Sequence, residues 1–209
     1  MKLYYTPGTC SLASHIVLAE MNMAYETEAV NLATKVTASG TNFREVNPKG
    51  AVPTLKMDSG DILTEGAAIL QYLAEQKPEA GLVPKFGTAD RYKFLEWLNY
   101  TATEIHKGIG ALFGVGYLVK TDGAKQELTD GLKAALVPKF KHISEKLGSN
   151  DYLMGKQFTV ADAYMFTVLN WTGHLGVDIT PWKNIQDYIA RVGARPAVLR
   201  AMKEEGLLK

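Results

Sequence analysis

The spacing of apolar positions divides the chain into two unlike parts. In the first part, short alternating runs predict four strands, over residues 2–6, 25–32, the second half of 47–57, and 61–64. Apolar residues at helical spacing predict three helices there, over 11–23, around 43–46, and over 65–77. The order β-α-β-(α)-β-β-α places a parallel βαβ unit beside an antiparallel hairpin.

That order is the thioredoxin-like arrangement. After residue 77 the sequence pattern changes. Two prolines and two glycines within residues 78–87 are typical of a linker. Beyond the linker only helical periodicity remains, over residues 88–118, 123–147, 159–173, 184–193 and 196–204. We therefore predict an α/β thioredoxin-like N-terminal domain (βαβ-α-ββα) over 1–77 and an all-α helical C-terminal domain over 88–209.

Three local features are expected to affect where the predicted helices begin, bend or end. Four glycines loosen the end of the first helix of the second part, which predicts an early stop or a kink there. Pro138 lies inside the next helix, and an interior proline costs about 3 kcal/mol, so we expect a kink. Thr159 and Asp162 have the spacing of a capping box just before an apolar run, and we interpret them as structural.

Composition excludes several classes of protein. The 209 residues carry a formal net charge of +1, which gives no reason to expect nucleic acid or an anionic membrane as a partner. No apolar run approaches the roughly 18 residues of a membrane span, and the first residues lack the apolar core of a signal peptide, so we expect a cytoplasmic protein. One cysteine and four scattered histidines predict neither a disulfide framework nor a metal site.

Cys10, the only cysteine, stands where the first strand is followed by the first helix. Unpaired N–H groups at a helix start favour a thiolate. Because one thiol cannot close an internal disulfide, any sulfur partner must come from outside, which points to a small thiol such as glutathione. The alternative is a buried, inert cysteine.

Two other segments allow a ligand to reach the backbone. Pro53 opens a strand, and a cis bond before it would turn the peptide groups of Val52 toward a ligand, although most such bonds are trans. Glu65 and Gly66 begin a predicted helix, where free N–H groups suit a carboxylate and the glutamate suits an ammonium. Glu65 is equally well explained as a residue that complements the helix dipole.

Three polar residues of the helix over 88–118 follow the spacing i, i+4, i+7, which would align them as one stripe: Asn99, Thr103 and His106. Such a stripe either lines a wet cleft or forms a solvated face. In a cleft, His106 would titrate near neutrality and donate a hydrogen bond to a thiolate.

Taken together, four motifs in order resemble the bacterial beta-class glutathione S-transferases. They are Tyr4-Tyr5-Thr6-Pro7-Gly8-Thr9-Cys10-Ser11, Asn47-Pro48-Lys49-Gly50-Ala51-Val52-Pro53, Leu63-Thr64-Glu65-Gly66, and Glu96-Trp97-Leu98-Asn99-Tyr100 with His106. The resemblance runs end to end and implies the glutathione transferase fold, an enzyme, and a homodimer.

The resemblance also implies a role for individual residues. Pro53 is expected to be cis, with Val52 pairing its backbone with the cysteinyl part of glutathione. Glu65 and Gly66 receive the γ-glutamyl end, and Lys35 receives the glycyl carboxylate, unless that lysine is simply solvated.

The remaining implied residues surround the glutathione sulfur or come from the neighbouring subunit. Cys10 and His106 lie near the sulfur, and the hydroxyl of Ser11 is a third candidate donor. Asn99 reaches glutathione from the partner subunit, with Thr103 and Glu104 beside it.

The implied reaction is conjugation of the glutathione thiol to electrophilic, largely apolar substrates, with thiol–disulfide exchange through Cys10. One alternative is a glutathione-dependent thiol transferase or peroxidase with Cys10 as the attacking sulfur. Another is a non-catalytic carrier of apolar compounds. The pocket for the second substrate is expected at apolar positions of the helical domain such as Leu112, Phe113, Tyr164, Phe166 and His174.

Overall fold

Strand β1 (Lys2–Tyr5) lies at the centre of a five-stranded sheet in the computed structural model, which describes residues 1–208. The sheet has the order β3-β2-β1-β4-β5, where the other strands are β2 (Glu26–Asn31), β3 (Val36–Thr37), β4 (Thr54–Lys56) and β5 (Ile62–Thr64). Strand β1 runs parallel to β2 and antiparallel to β4. Leu3 of β1 faces Leu55 of β4 in the register, and both side chains are fully buried. Burial of this pair therefore favours the observed register.

The chain divides into two compact units, and this sheet belongs to the first, Met1–Val83 together with the residues from Gly193 onward. The helices of this unit are α1 (Ser11–Met21), α2 (Phe43–Val46), α3 (Gly66–Gln76), a 3₁₀ turn (Pro78–Ala80) and α10 (Pro196–Glu204). Helix α1 packs against both α3 and α10 and is buried from Ser11 to Ala19.

The position of α10 differs from the predicted domain boundary. The sequence pattern placed all residues after 87 in the helical domain, whereas the structure packs α10 within the first unit. Val198 and Ala201 of α10 are fully buried, so the helix needs an apolar surface to cover them, and α1 supplies it. Periodicity identifies such a face but not its partner.

Two smaller differences have local causes. Helix α1 stops at Met21, short of the predicted end at 23, because Asn22 adopts a left-handed conformation (φ 49°) and caps the Ala19 carbonyl. Strand β3 was not predicted, since two residues are too few to show a period.

The second unit, Pro84–Val192, is built from helical segments, and none of the five β-strands lies within it. The helices are α4 (Ala89–Tyr100), a π-helical segment (Thr101–His106), α5 (Lys107–Leu118), α6 (Asp122–Leu147), α7 (Val160–Leu169), α8 (Trp171–Leu175) and α9 (Lys183–Gly193). All ten residues of α7 are buried, which makes it the core helix of this unit.

The glycines near the end of the predicted helix 88–118 do not stop it early, because α5 continues to Leu118. Gly108 instead allows close packing of α5 on α6. A Cβ at this position would lie 2.9 Å from Cδ2 of Leu136. Helix α6 is continuous through Pro138, and the expected kink there stays a prediction.

The capping box at the start of α7 is confirmed. Asp162 is fully buried and accepts hydrogen bonds from the N–H of Thr159 (2.8 Å), the N–H of Leu153 (2.8 Å) and the hydroxyl of Tyr188 (3.1 Å). Burial raises the pKa of Asp162 to about 6, so at neutral pH these donors hold a carboxylate. One side chain thereby joins α7, the loop before it and α9.

We expect Asp162→Ala to lower the free energy of unfolding by about 3–5 kcal/mol, because four buried donor groups lose this carboxylate as their acceptor at once. Urea unfolding at pH 7 measures the change. Asp130→Ala is the matched control, since Asp130 lies on the exposed surface of α6 and accepts from the side-chain amide of Gln126. Equal losses in the two variants would contradict the structural role of the buried carboxylate.

Candidate active site

Cys10 lies in the first unit, at the end of the loop that follows β1. The N–H of Thr9 donates to the carbonyl of Thr6 (3.2 Å), and this turn brings Cys10 to the N-cap position of α1. The Cys10 side chain is half-buried, and its thiol donates to the carbonyl oxygen of Val52 at 3.2 Å. The predicted strand-to-helix position of Cys10 is therefore confirmed.

The Val52–Pro53 bond is cis, as the resemblance implies. Val52 lies before β4, beyond the last paired position of the β1–β4 ladder, so its peptide groups are not part of the sheet. The side chain of Asn47 stabilises the segment that carries Val52. Its side-chain amide donates to the carbonyl of Ala51 (2.9 Å) and to the hydroxyl of Thr54 (2.8 Å). Asn47 is buried, and sequence reasoning assigned it no role.

Glu65 and Gly66 begin α3, as predicted. Glu65 has a positive φ of 70°, an uncommon conformation for a residue with a side chain. Its exposed carboxylate pairs with the ammonium of Lys49 at 2.6 Å, and the same ammonium donates to the hydroxyl of Thr64 at 3.0 Å. The carboxylate of Glu65 therefore already pairs with a cation, the ammonium of Lys49.

Lys35 also has a positive φ, 58°, and its side chain is half-buried. The Lys35 ammonium donates to the carbonyl of Gly50 at 2.8 Å. The lysine is thus anchored to the same 47–53 segment that carries Val52, and it is not a freely solvated side chain.

Ser11 differs from its predicted role. Its side chain is fully buried, and its hydroxyl oxygen contacts the N–H of Thr6 (3.2 Å), the carbonyl of Thr6 (3.2 Å) and the hydroxyl of Thr9 (2.9 Å). These contacts stabilise the loop before Cys10. The geometry supports a structural role for Ser11 rather than a donor role at the glutathione sulfur.

Glu205 supports the same loop, and sequence reasoning did not assign it a role. Its carboxylate accepts from the N–H of Gly8 at 2.9 Å and contacts Nδ1 of the buried His15 at 3.0 Å. The second nitrogen of His15 lies 2.8 Å from Glu204. Because 197 residues separate Gly8 from Glu205, no local sequence signal could have revealed the contact.

His106 lies in the second unit, at the end of the π-helical segment. Its Nδ1 is 2.6 Å from the hydroxyl of Tyr164, and its ring lies 5.1 Å from the ring of Trp171. Burial and, to a smaller extent, the charge of Lys107 together lower the pKa of His106 to about 4. The expectation that His106 titrates near neutrality is therefore wrong, because its imidazole is neutral at pH 7. Its action at the glutathione sulfur stays a prediction.

The predicted polar stripe is only partly present. Asn99 and Thr103 are exposed, and the hydroxyl of Thr103 donates to the carbonyl of Asn99 at 3.0 Å. His106 instead faces the aromatic rings of Tyr164 and Trp171. A π turn holds more residues than an α turn, so it shifts the direction in which the following side chains point around the helix axis. Glu104 pairs with Lys139 at 2.9 Å, and this hydrogen bond lowers the pKa of its carboxyl.

The positions expected for a second substrate divide into exposed and buried residues. Phe113 is 53% exposed, and its ring packs edge-on against Trp171 at 5.6 Å. Phe166 is only 2% exposed and belongs to the core of α7, so it cannot line a surface pocket. Phe113 and His174 are exposed, whereas Leu112 and Tyr164 are nearly buried.

Between residues 1 and 208, no three His, Cys, Asp or Glu side chains come together as a metal ion would require. In that same stretch, each helix is too short or too polar to cross a membrane.

The neutral state of His106 can be measured directly. We expect the imidazole C–H resonance to titrate with a midpoint of about 4, well below that of an ordinary histidine, because burial disfavours the charged form. A pH series of proton NMR spectra measures the midpoint, and His106→Gln identifies the resonance by its loss. A midpoint of 6 or above would contradict the lowering of the pKa of His106 by burial.

Comparison with known proteins places this geometry in a family. The family model of the glutathione S-transferase N-terminal domain matches residues 8–76, and that of the C-terminal domain matches residues 110–196. Glutathione S-transferase GstA of Escherichia coli O157:H7 is 41% identical over 207 residues, which cover 99% of this chain and 100% of that protein.

Solved structures are similar to this protein over its whole length. A bacterial beta-class glutathione S-transferase of Sphingomonas chungbukensis is 39% identical, with a TM-score of 0.91 and full coverage of both chains. A sphingomonad glutathione S-transferase complexed with glutathione is 38% identical, with a TM-score of 0.90 and the same coverage. These matches confirm the predicted fold class, an α/β thioredoxin-like domain followed by a helical one. The chain is therefore an enzyme of the glutathione S-transferase family and a member of its bacterial beta class.

Proposed function

We propose that the protein conjugates the thiol of glutathione to electrophilic, largely apolar compounds and exchanges disulfides through Cys10. The observation that carries this proposal is the arrangement of Cys10 at the start of α1, with its sulfur 3.2 Å from the Val52 carbonyl. A thiol substrate that pairs its backbone with Val52 would bring its sulfur next to Cys10.

The first unit offers a counterpart for each polar group of glutathione. Lys35 matches the glycyl carboxylate, and the start of α3 at Gly66 matches the γ-glutamyl carboxylate. Glu65 matches the ammonium, and Val52 matches the cysteinyl backbone. Four polar matches within one unit favour a tripeptide thiol over a simpler one.

Two contacts seen in the structure would change when glutathione binds. The ammonium of Lys49 now neutralises Glu65, and the ligand's ammonium has to share or displace it. The carbonyl of Val52 now accepts from Cys10, and pairing with the ligand would remove this acceptor. Binding would thereby withdraw a contact that favours the protonated form of the Cys10 thiol.

In the conjugation reaction, the glutathione thiolate attacks the electrophilic carbon of a substrate such as an aromatic halide. A carbon–sulfur bond forms, the carbon–halogen bond breaks, and the halide leaves with the electron pair. The protein's contribution is to hold the thiolate in position and to accept an apolar partner.

In the exchange reaction, the Cys10 thiolate attacks a mixed disulfide of glutathione with a second thiol. A Cys10–glutathione disulfide forms, and the second thiol leaves as its thiolate. A second glutathione thiolate then attacks this disulfide, releasing oxidised glutathione and the Cys10 thiolate. A second glutathione is required because the chain has no other cysteine.

We also propose that the active form is a homodimer. The exposed Asn99 and Thr103 of α4 and the π-helical segment are the residues that would reach glutathione bound to the partner subunit. The predicted cytoplasmic location stays a prediction.

Cys10→Ala separates the two reactions. We expect this variant to lose at least 90% of mixed-disulfide reduction, about a tenfold loss, because no other sulfur can attack, whereas conjugation to an aromatic halide continues. Parallel assays of wild type and variant, with calorimetric titration of glutathione into both, measure the outcome. The thermal unfolding midpoint shows whether the variant is folded.

Other outcomes of these assays would favour a different function. Loss of both reactions with retained glutathione binding would make Cys10 essential to conjugation and favour a thiol transferase or peroxidase as the main function. Binding of apolar dyes without turnover of either substrate by wild type would indicate a carrier. No saturable heat with glutathione would contradict the proposal as a whole.

The dimer is tested by sedimentation equilibrium at micromolar concentration. We expect a mass of about twice the 22.9 kDa of one chain. A single species at the mass of one chain would contradict the assignment of Asn99 and Thr103 to a partner's site.

A further inference from the structure

Two cationic side chains converge on Gly50 in the first unit. A Cβ at Gly50 would lie 3.4 Å from the guanidinium carbon of Arg44 and 3.4 Å from Cδ and Cε of Lys35. Glycine at this position, with a φ of 61°, leaves the space that both side chains occupy. Lys35 was predicted as a binding residue, whereas Arg44 was only part of a short helix.

The backbone holds these two residues together. The N–H of Phe43, which immediately precedes Arg44, donates to the carbonyl of Lys35 at 2.8 Å. Phe43 is fully buried, so it fixes α2 to the core. The guanidinium of Arg44 donates to the carbonyl of Pro48 at 3.2 Å, which directs it toward the 47–53 segment.

Neither cation is neutralised within residues 1–208. Lys35 and Arg44 bond to the carbonyls of Gly50 and Pro48, and no ion pair joins either of them to a carboxylate of the described chain. A lysine ammonium has three donors and a guanidinium has five, so most of these donors stay available. Two adjacent positive groups with spare donors attract an anion.

We propose that Arg44 is a specificity residue that, together with Lys35, binds the glycyl carboxylate of glutathione. This inference rests on the proposed function, which assigns that carboxylate to Lys35. The pair selects thiols that end in a free glycyl carboxylate over γ-glutamylcysteine, which lacks the glycine, and over glutathione monoethyl ester, whose glycyl carboxylate is neutral.

Arg44→Leu tests the assignment. We expect the dissociation constant and KM for glutathione to rise about 2- to 5-fold, because an exposed charge contact is lost, with kcat at saturating glutathione unchanged. The affinities for the monoethyl ester and for γ-glutamylcysteine should not change. Arg44→Lys, which keeps the charge, should restore most of the affinity, and 0.5 M salt should reduce the difference between wild type and Arg44→Leu.

Lys56→Leu is the matched control, since it removes one positive charge from an exposed residue at the opposite end of β4 from Pro53. Equal affinity for glutathione in wild type and Arg44→Leu, or an equal loss in the control, would overturn the role of Arg44 alone. An equal loss for glutathione and its monoethyl ester would overturn it too. Absence of glutathione binding by wild type would instead contradict the proposed function, and this inference with it.

Discussion

The antiparallel pairing of β1 with β4 brings the parts of the candidate site together. Cys10 follows the end of β1 and Val52 precedes the start of β4, and strands that run in opposite directions place these two points at the same edge of the sheet. The buried pair Leu3 and Leu55 favours the register, and with it the 3.2 Å contact between the Cys10 sulfur and the Val52 carbonyl. A slip of β4 by one residue would turn Leu55 away from the core.

Around that edge, the protein uses backbone carbonyls and short polar side chains to hold segments that have no regular structure. Asn47 fixes the segment before the cis bond, Ser11 fixes the turn before Cys10, and Glu205 accepts from the N–H of Gly8 from the far end of the chain. Three buried polar residues thus stabilise two loops whose own backbone bonds are few. Loss of any of these contacts would leave a buried donor or acceptor without a partner.

Much of the fold was predictable because it depends on local spacing. The strand-to-helix position of Cys10, the hairpin before Glu65 and the capping box of Asp162 all follow from short patterns. The sequence could not reveal that α10 packs on α1, that Ser11 is buried, or that the pKa of His106 falls to about 4. These properties depend on residues far away in the chain, which fix what surrounds each side chain.

The π-helical segment Thr101–His106 divides one long helix into two parts that present their side chains in different directions. In a uniform α-helix, His106 would share the solvent-facing side of Asn99 and Thr103. The wider turn moves the imidazole inward, beside Tyr164, while the earlier residues stay outside. Shortening this segment by one residue would therefore rotate everything downstream by about 100° while keeping the composition of the helix nearly intact. The length of this segment, as well as the identity of its residues, determines which way the histidine points.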